Sequence, residues 1–201
     1  MEAARRKPEW FFYPAWVVAS ALPVPIAWFI GWAIISQVER VAGGTIEVAG
    51  RTRITEDFLF GYVFVPLLGL LTGFLQYLLL RRYLPRIGWW IAATALGWPL
   101  GIAGVYLVYA ALPAALEASS TWPLALVLVS VGGATGLAQW LVLRRRVRRA
   151  GWWILASALG CGLVRLAAGE AFTSLLEQLM VGVVPGIVTA MALWWLLGWQ
   201  E

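Results

Sequence analysis

Apolar residues in this chain fall in long unbroken runs separated by short polar segments. Six runs can be drawn, roughly 15–35, 58–80, 88–107, 123–143, 152–168 and 180–198. Each is near the ~20 residues that carry an α-helix across a hydrocarbon core of ~30 Å. A membrane β-barrel would instead alternate apolar and polar positions over segments of about ten residues. The pattern therefore predicts an all-α integral membrane protein, one domain over 1–201, with six transmembrane helices. Pro23, Pro25, Pro66, Pro99 and Pro185 fall inside runs, which membrane helices tolerate when neighbouring helices satisfy the freed backbone groups. The longest polar segment, 36–57, predicts an outer loop. Its stretch 45–55 alternates around Gly50, as a short β-hairpin would.

The runs repeat. Residues 73–97 align without a gap on 136–160 at an offset of 63, with 15 of 25 positions identical. The segment from Trp16 to Leu22 matches those beginning at Trp90 and Trp153. Odd-numbered spans thus share one design and even-numbered spans another: Gly69, Gly73 and Gln76; Gly132, Gly136 and Gln139; and, degenerately, Gly182, Gly186 and Thr189. Repetition on this scale fixes architecture before side-chain chemistry is considered. Three helical hairpins are expected, about 10–80, 88–143 and 152–199, related by a pseudo-threefold axis along the membrane normal. Glycines four apart on one face let helices approach closely. Gln76 and Gln139 share that face, so they read as polar glue between helices, with contact to a ligand as the other role. Inverted-repeat transporters need an odd number of spans per unit, which this pattern does not supply. Ala19-Ser20-Ala21 after Arg5, Arg6 and Lys7 imitates a signal-peptide cleavage site. The same small cluster recurs at 93–95 and 156–158, so it is read as a packing element.

Only 12% of the residues are charged and 62% are hydrophobic, with a net charge of +5. Eleven of the 15 basic residues cluster before the first run (Arg5, Arg6, Lys7), after the second (Arg81, Arg82, Arg86) and after the fourth (Arg144, Arg145, Arg146, Arg148, Arg149). The positive-inside rule then places both termini in the cytoplasm, in the bacterial cytoplasmic membrane. These arginines are expected at anionic lipid headgroups; no aromatic or groove-fitting module accompanies them, so nucleic acid is not an expected partner. Ten of the 14 tryptophans, among them Trp16, Trp89, Trp90, Trp152, Trp153 and Trp199, lie near the same span ends, where indole rings favour the interface.

Departures from the repeat mark where function would sit. Arg165 replaces Ile102 and Trp28, and Glu170 replaces Leu107 and Ala33. A charge inside a span is costly and functional by default, although a long arginine can also snorkel to the headgroups. Arg165, Glu170, Glu177 and Trp28 therefore form the candidate ligand or partner site.

There is no histidine, one cysteine (Cys161) and one lysine (Lys7). Histidine-based acid–base chemistry, haem or metal ligation through imidazole, a thiolate metal cluster and an intraspan Schiff base all lack their residues. No catalytic or metal-binding residues are assigned.

The motif G-x3-G-x2-Q-W-x2-L-R-R followed by W-W-x2-A is carried by Gly132, Gly136, Gln139, Trp140, Leu143, Arg144, Arg145, Trp152, Trp153 and Ala156, with Tyr77 in place of the first Trp in the earlier copy. It resembles a group of bacterial polytopic membrane proteins, and the resemblance brings no activity with it. The tryptophan-rich sensory proteins, with five helices and no triplication, are not a match. The expected function is a non-enzymatic accessory, scaffold or hydrophobic-ligand-binding subunit of a larger membrane assembly. Its partners would be membrane lipids and other membrane subunits, an energy-converting complex among the plausible hosts. Lipid, quinone, carotenoid or pigment would be its cofactor, a pigment being held by water, Gln or backbone oxygen. The alternative is a transporter or channel for a small or lipidic solute, along the axis past Gln76, Gln139, Thr189 and Arg165.

Overall fold

The computed structural model describes residues 8–111, 122–167 and 174–198. It is helical apart from one hairpin: α1 (Phe12–Ala21), α2 (Pro23–Ala42), β1 (Thr45–Val48), β2 (Arg51–Ile54), α3 (Thr55–Leu59), a π-helical stretch Phe60–Phe64, α4 (Val65–Leu80), α5 (Trp89–Ala111), α6 (Trp122–Leu143), α7 (Trp152–Ala167) and α8 (Leu175–Gly198). α1 continues into α2 through a helical Leu22, and α3 continues through the π-helical stretch into α4. Among the described residues, five helical stretches are long and apolar enough to cross a membrane, and α7 is an apolar helix of 16 residues.

The segment 36–57 is less of a loop than its polarity implies. α2 runs on to Ala42 because Gln37, Glu39 and Arg40 favour helix, and Arg40 bonds back to the Ser36 carbonyl and the Gln37 side chain. Gly43, at φ 87°, ends the helix. The expected hairpin follows, with Val48 paired to Arg51 across Ala49 and Gly50, both at positive φ, as a two-residue hairpin turn requires. Buried Thr55 pins its base: the hydroxyl donates to Gly43 O at 2.8 Å and the amide to Gly44 O at 3.0 Å. Pro66 has no amide proton for the carbonyl four residues back. The chain passes it in a wider turn, in which the Val65 amide reaches Phe60 O.

Each helical stretch packs against the next in sequence, and α8 returns to α1, closing a ring. The glycine pairs set the spacing at three of these contacts. A Cβ placed on Gly69 would lie 2.8 Å from Ala95 Cα, and one on Gly73 would lie 2.9 Å from Thr94 Cβ. Gly132 and Gly136 meet Ser157 and Ala158 in the same way, and Gly182 and Gly186 meet Ser20 and Ala21. The clusters Ala19-Ser20-Ala21, Ala93-Thr94-Ala95 and Ala156-Ser157-Ala158 are therefore the surfaces that receive the glycines. Each glycine pair faces the odd helix that follows it, not the one that precedes it. A different small-residue seam joins α5 to α6, where Gly97 lies against Thr135 and Gly101 against Val131, and joins α7 to α8, where Gly160 lies against Pro185.

One end of the ring is filled with apolar side chains. Leu80, Leu143 and Leu193 are at most 1% exposed. Leu84 and Ile87 of the α4–α5 loop turn inward, as do Val147 and Ala150 of the α6–α7 loop, while α8 simply continues and supplies Leu196 and Leu197. The two loops share backbone hydrogen bonds at the offset of 63: Tyr83 to Leu80 O and Arg146 to Leu143 O, Trp90 to Ile87 O and Trp153 to Ala150 O. Both pass through a left-handed arginine, Arg86 at φ 55° and Arg149 at φ 59°, a conformation that costs a side-chain-bearing residue about 1–2 kcal/mol.

Close packing makes these glycines unequal. Gly69→Ala is expected to destabilise the protein by about 1–3 kcal/mol through overpacking. Gly104→Ala, where a Cβ meets nothing within 4 Å, should be neutral or gain up to about 1 kcal/mol of helix propensity. Thermal unfolding of both variants in one detergent measures the contrast, and equal effects contradict the seam.

Candidate functional site

The paired tryptophans divide. Trp89 and Trp152 are exposed, whereas Trp90 and Trp153 are at most 1% exposed, because consecutive helical residues point about 100° apart. Trp16 joins the buried pair. The three indoles meet in the middle of the ring, with centroids 6.1 Å apart for Trp16–Trp90, 6.0 Å for Trp16–Trp153 and 5.6 Å for Trp90–Trp153. Trp16 meets Trp90 and Trp153 edge-to-face, at 67° and 77°, an arrangement that ring quadrupoles favour by about 0.5–1.5 kcal/mol per pair, and Trp90 and Trp153 are tilted at 59°. The reading of Trp16, Trp90 and Trp153 as interfacial side chains is thus corrected: they are core. Trp10, Trp89, Trp152 and Trp194 are the exposed ones, and Trp199 lies outside the described residues.

A buried indole N–H needs an acceptor. Trp90 Nε1 donates to Gln76 Oε1 at 3.1 Å, Trp153 Nε1 to Gln139 Oε1 at 2.8 Å and Trp16 Nε1 to Thr189 Oγ1 at 3.0 Å. Each amide then donates onward to a third helix: Gln76 Nε2 to Ser20 Oγ at 3.0 Å and Gln139 Nε2 to Thr94 Oγ1 at 2.8 Å. Those hydroxyls donate to the carbonyls of Trp16 and Trp90 one turn back. A planar carboxamide, with an acceptor and donors on one short stem, can link two helices at once.

At the third position the relay stops. Thr189 accepts from Trp16, but its one proton goes to Pro185 O at 2.6 Å in its own helix. Ser157, which occupies the place of Ser20 and Thr94, is left with a buried hydroxyl that has no hydrogen-bond partner, as is Thr135 one turn from Gln139. Both line a partly open cavity of about 60 Å³ at the centre of the ring. Matched positions surround it: Ser20, Thr94 and Ser157; Gln76, Gln139 and Thr189; Thr72, Thr135 and Pro185; Val24, Trp98 and Cys161. None of its lining residues is charged.

The expected site at the departures from the repeat lies in part beyond the described residues. Arg165 is half-buried in the last described turn of α7 and does not line the cavity. Glu177 caps α8: the Ser174 amide donates to its carboxylate at 2.9 Å, and its own amide donates to Ser174 Oγ at 3.2 Å. This is a capping box, legible in the sequence as Ser-x-x-Glu and missed there. Glu170 lies outside the described residues. Trp28 packs edge-on to Phe64 and Trp32, 5.8 Å from each, beside the cluster of Val24, Ala27 and Leu68. Among the basic residues, Arg81, Arg82, Arg86, Arg144, Arg145, Arg148 and Arg149 are exposed. Arg81 and Arg144 lie over Tyr77 and Trp140 at 6.0 and 5.3 Å, and Arg146 ties the two loops together by donating to Arg86 O at 2.8 Å. Arg5, Arg6 and Lys7 lie outside the described residues. Among the described residues, no three His, Cys, Asp or Glu side chains gather as a metal site would need.

No protein family, curated protein or solved structure matches this chain.

Gln139→Leu removes the acceptor of the buried Trp153 N–H. An unmet buried donor costs about 1–3 kcal/mol, so this variant is expected to unfold earlier by that amount and to red-shift its tryptophan emission. Leu137 is exposed on the opposite face of α6, so the control Leu137→Gln should leave the emission unchanged. An unaltered Gln139→Leu protein contradicts the network.

Proposed function

We propose that the chain is a multi-pass protein of the bacterial cytoplasmic membrane, built from three copies of a helical hairpin about a pseudo-threefold axis, with both termini on the cytoplasmic side. In this reading it is a non-enzymatic accessory or scaffold subunit, packing laterally against lipids, hydrophobic cofactors or other subunits of a larger membrane assembly. One observation carries it: the large apolar side chains point outward while the polar ones turn inward. Phe29, Leu96, Leu100, Tyr106, Leu159, Leu166 and Met191 are all 59–83% exposed, whereas Gln76, Thr94, Gln139, Ser157 and Thr189 are buried. Water rejects such an exterior, and lipid or an apolar partner accepts it. The exposed arginines at one end fit anionic headgroups at about 1 kcal/mol per charge. The repeated motif fits the bacterial polytopic group that the sequence resembles.

A solute path along the axis is the lesser reading. It would have to pass Trp16, Trp90 and Trp153 and then the apolar fill around Leu80, Leu143 and Leu193, all at most 1% exposed.

Two measurements test the proposal. In a Cys161→Ala background, cysteines introduced at Gly50 and at Arg82 or Arg145 should react with a membrane-impermeant maleimide from opposite sides of right-side-out vesicles, Gly50 from outside; same-side labelling contradicts the topology. Native mass spectrometry of a mild-detergent extract should show the chain in a complex of fixed stoichiometry. A bare, monodisperse monomer contradicts the accessory role.

A further inference from the structure

The central cavity is bordered by Gln76, Gln139 and Thr189, and at the third of these positions the carboxamide is missing. At the two complete positions a glutamine amide joins a tryptophan N–H on one helix to a hydroxyl on another. At the third, Thr189 supplies the acceptor for Trp16 but nothing that reaches Ser157. Threonine's oxygen sits one bond from Cβ where glutamine's sits three, and threonine has no amide nitrogen to make the onward bond. The unmet Ser157 and Thr135 hydroxyls, 5% and 8% exposed as residues, border the space of about 60 Å³ beside it. That is room for more than one water and for a molecule of a few heavy atoms, and it is well under the roughly 150 Å³ of a cavity that holds benzene. With no charged residue in the lining, an ion would lose its hydration without gaining a counter-charge.

We propose that this cavity is a binding site for a single small neutral carboxamide-type molecule, which takes the place of the missing glutamine side chain. Its N–H donates to Ser157 Oγ, as Gln76 and Gln139 donate to Ser20 and Thr94. Its carbonyl oxygen offers an acceptor to the Thr135 hydroxyl, and its short apolar end faces Val24 and Val181. The inference rests on the three-copy ring of the proposed fold. It does not depend on the accessory role.

Acetamide is the probe, with acetone as the same-sized carbonyl compound that has no N–H. The full chain in lipid nanodiscs should show a saturable saturation-transfer NMR signal with acetamide, and binding at least tenfold weaker with acetone. Thr189→Gln should fill the cavity, weaken acetamide binding at least tenfold and raise the melting temperature. Ser157→Ala, which keeps the space but removes the acceptor, should also weaken binding; it decides the matter if Thr189→Gln fails to fold. Equal binding of acetone and acetamide, unchanged binding in Thr189→Gln or Ser157→Ala, or no saturable acetamide signal each overturns the site. If Thr189→Gln is more stable but the wild-type protein binds no acetamide, the ring stands and the cavity holds only water. A folded but less stable Thr189→Gln that also binds acetamide as before counts against the ring and the site together.

Discussion

The structure depends on giving three buried indole N–H groups an acceptor on the neighbouring helix. Trp16, Trp90 and Trp153 occupy the centre of the ring, where no water competes for the donor and an unmet one would be expensive. Thr189, Gln76 and Gln139 meet them at 2.8–3.1 Å. Those distances are reached only because the preceding turns of α4, α6 and α8 carry glycine against Thr94, Ser157 and Ser20. A side chain at any of these glycines would push the helices apart before the polar groups met. Packing and hydrogen bonding are therefore one device, applied where α4 meets α5, α6 meets α7 and α8 meets α1.

Its third application is incomplete in two ways. α8 carries Thr189 where its counterparts carry glutamine, so Ser157 loses its donor and a cavity remains. α8 also runs straight on to supply Leu196 and Leu197, where the α4–α5 and α6–α7 loops turn Leu84 and Val147 inward. The apolar fill survives this change, because burial has no preferred direction. The hydrogen-bond relay does not survive it, because hydrogen bonds are directional. The departure in α8 is thus silent at one end of the ring and consequential at its centre.

Much of the helical order was legible in the sequence, since long apolar runs and a repeat of 63 constrain it directly. So was the glycine stripe, and the hairpin around Gly50. The pairing of each glycine stripe with the following odd helix was not, because a spacing of four gives a face but not its partner. The tryptophans were misread for a related reason. Trp89 and Trp90 look alike in a sequence and both suit an interface, but a turn of about 100° sends one outward and the other to the axis. Ser20, Thr94 and Ser157 stand four residues after those buried indoles, and that recurring spacing was the available signal for the relay. Arg165 and Glu177 drew attention as charges in an apolar chain. Glu177 proved to cap its own helix, a local role that the Ser-x-x-Glu pattern announces.

Closure of the ring is tested most directly by cysteine pairs at the three glycine seams in a Cys161→Ala chain: Gly73 with Thr94, Gly136 with Ser157, and Gly186 with Ser20. Their Cβ positions lie 2.9, 2.8 and 3.1 Å apart, so a small outward movement gives the ~3.8 Å of a disulfide. Mild oxidation in membranes should cross-link all three pairs, the last joining the first helix to the final one. Cross-linking of the first two without the third would show an open chain of hairpins and contradict the account.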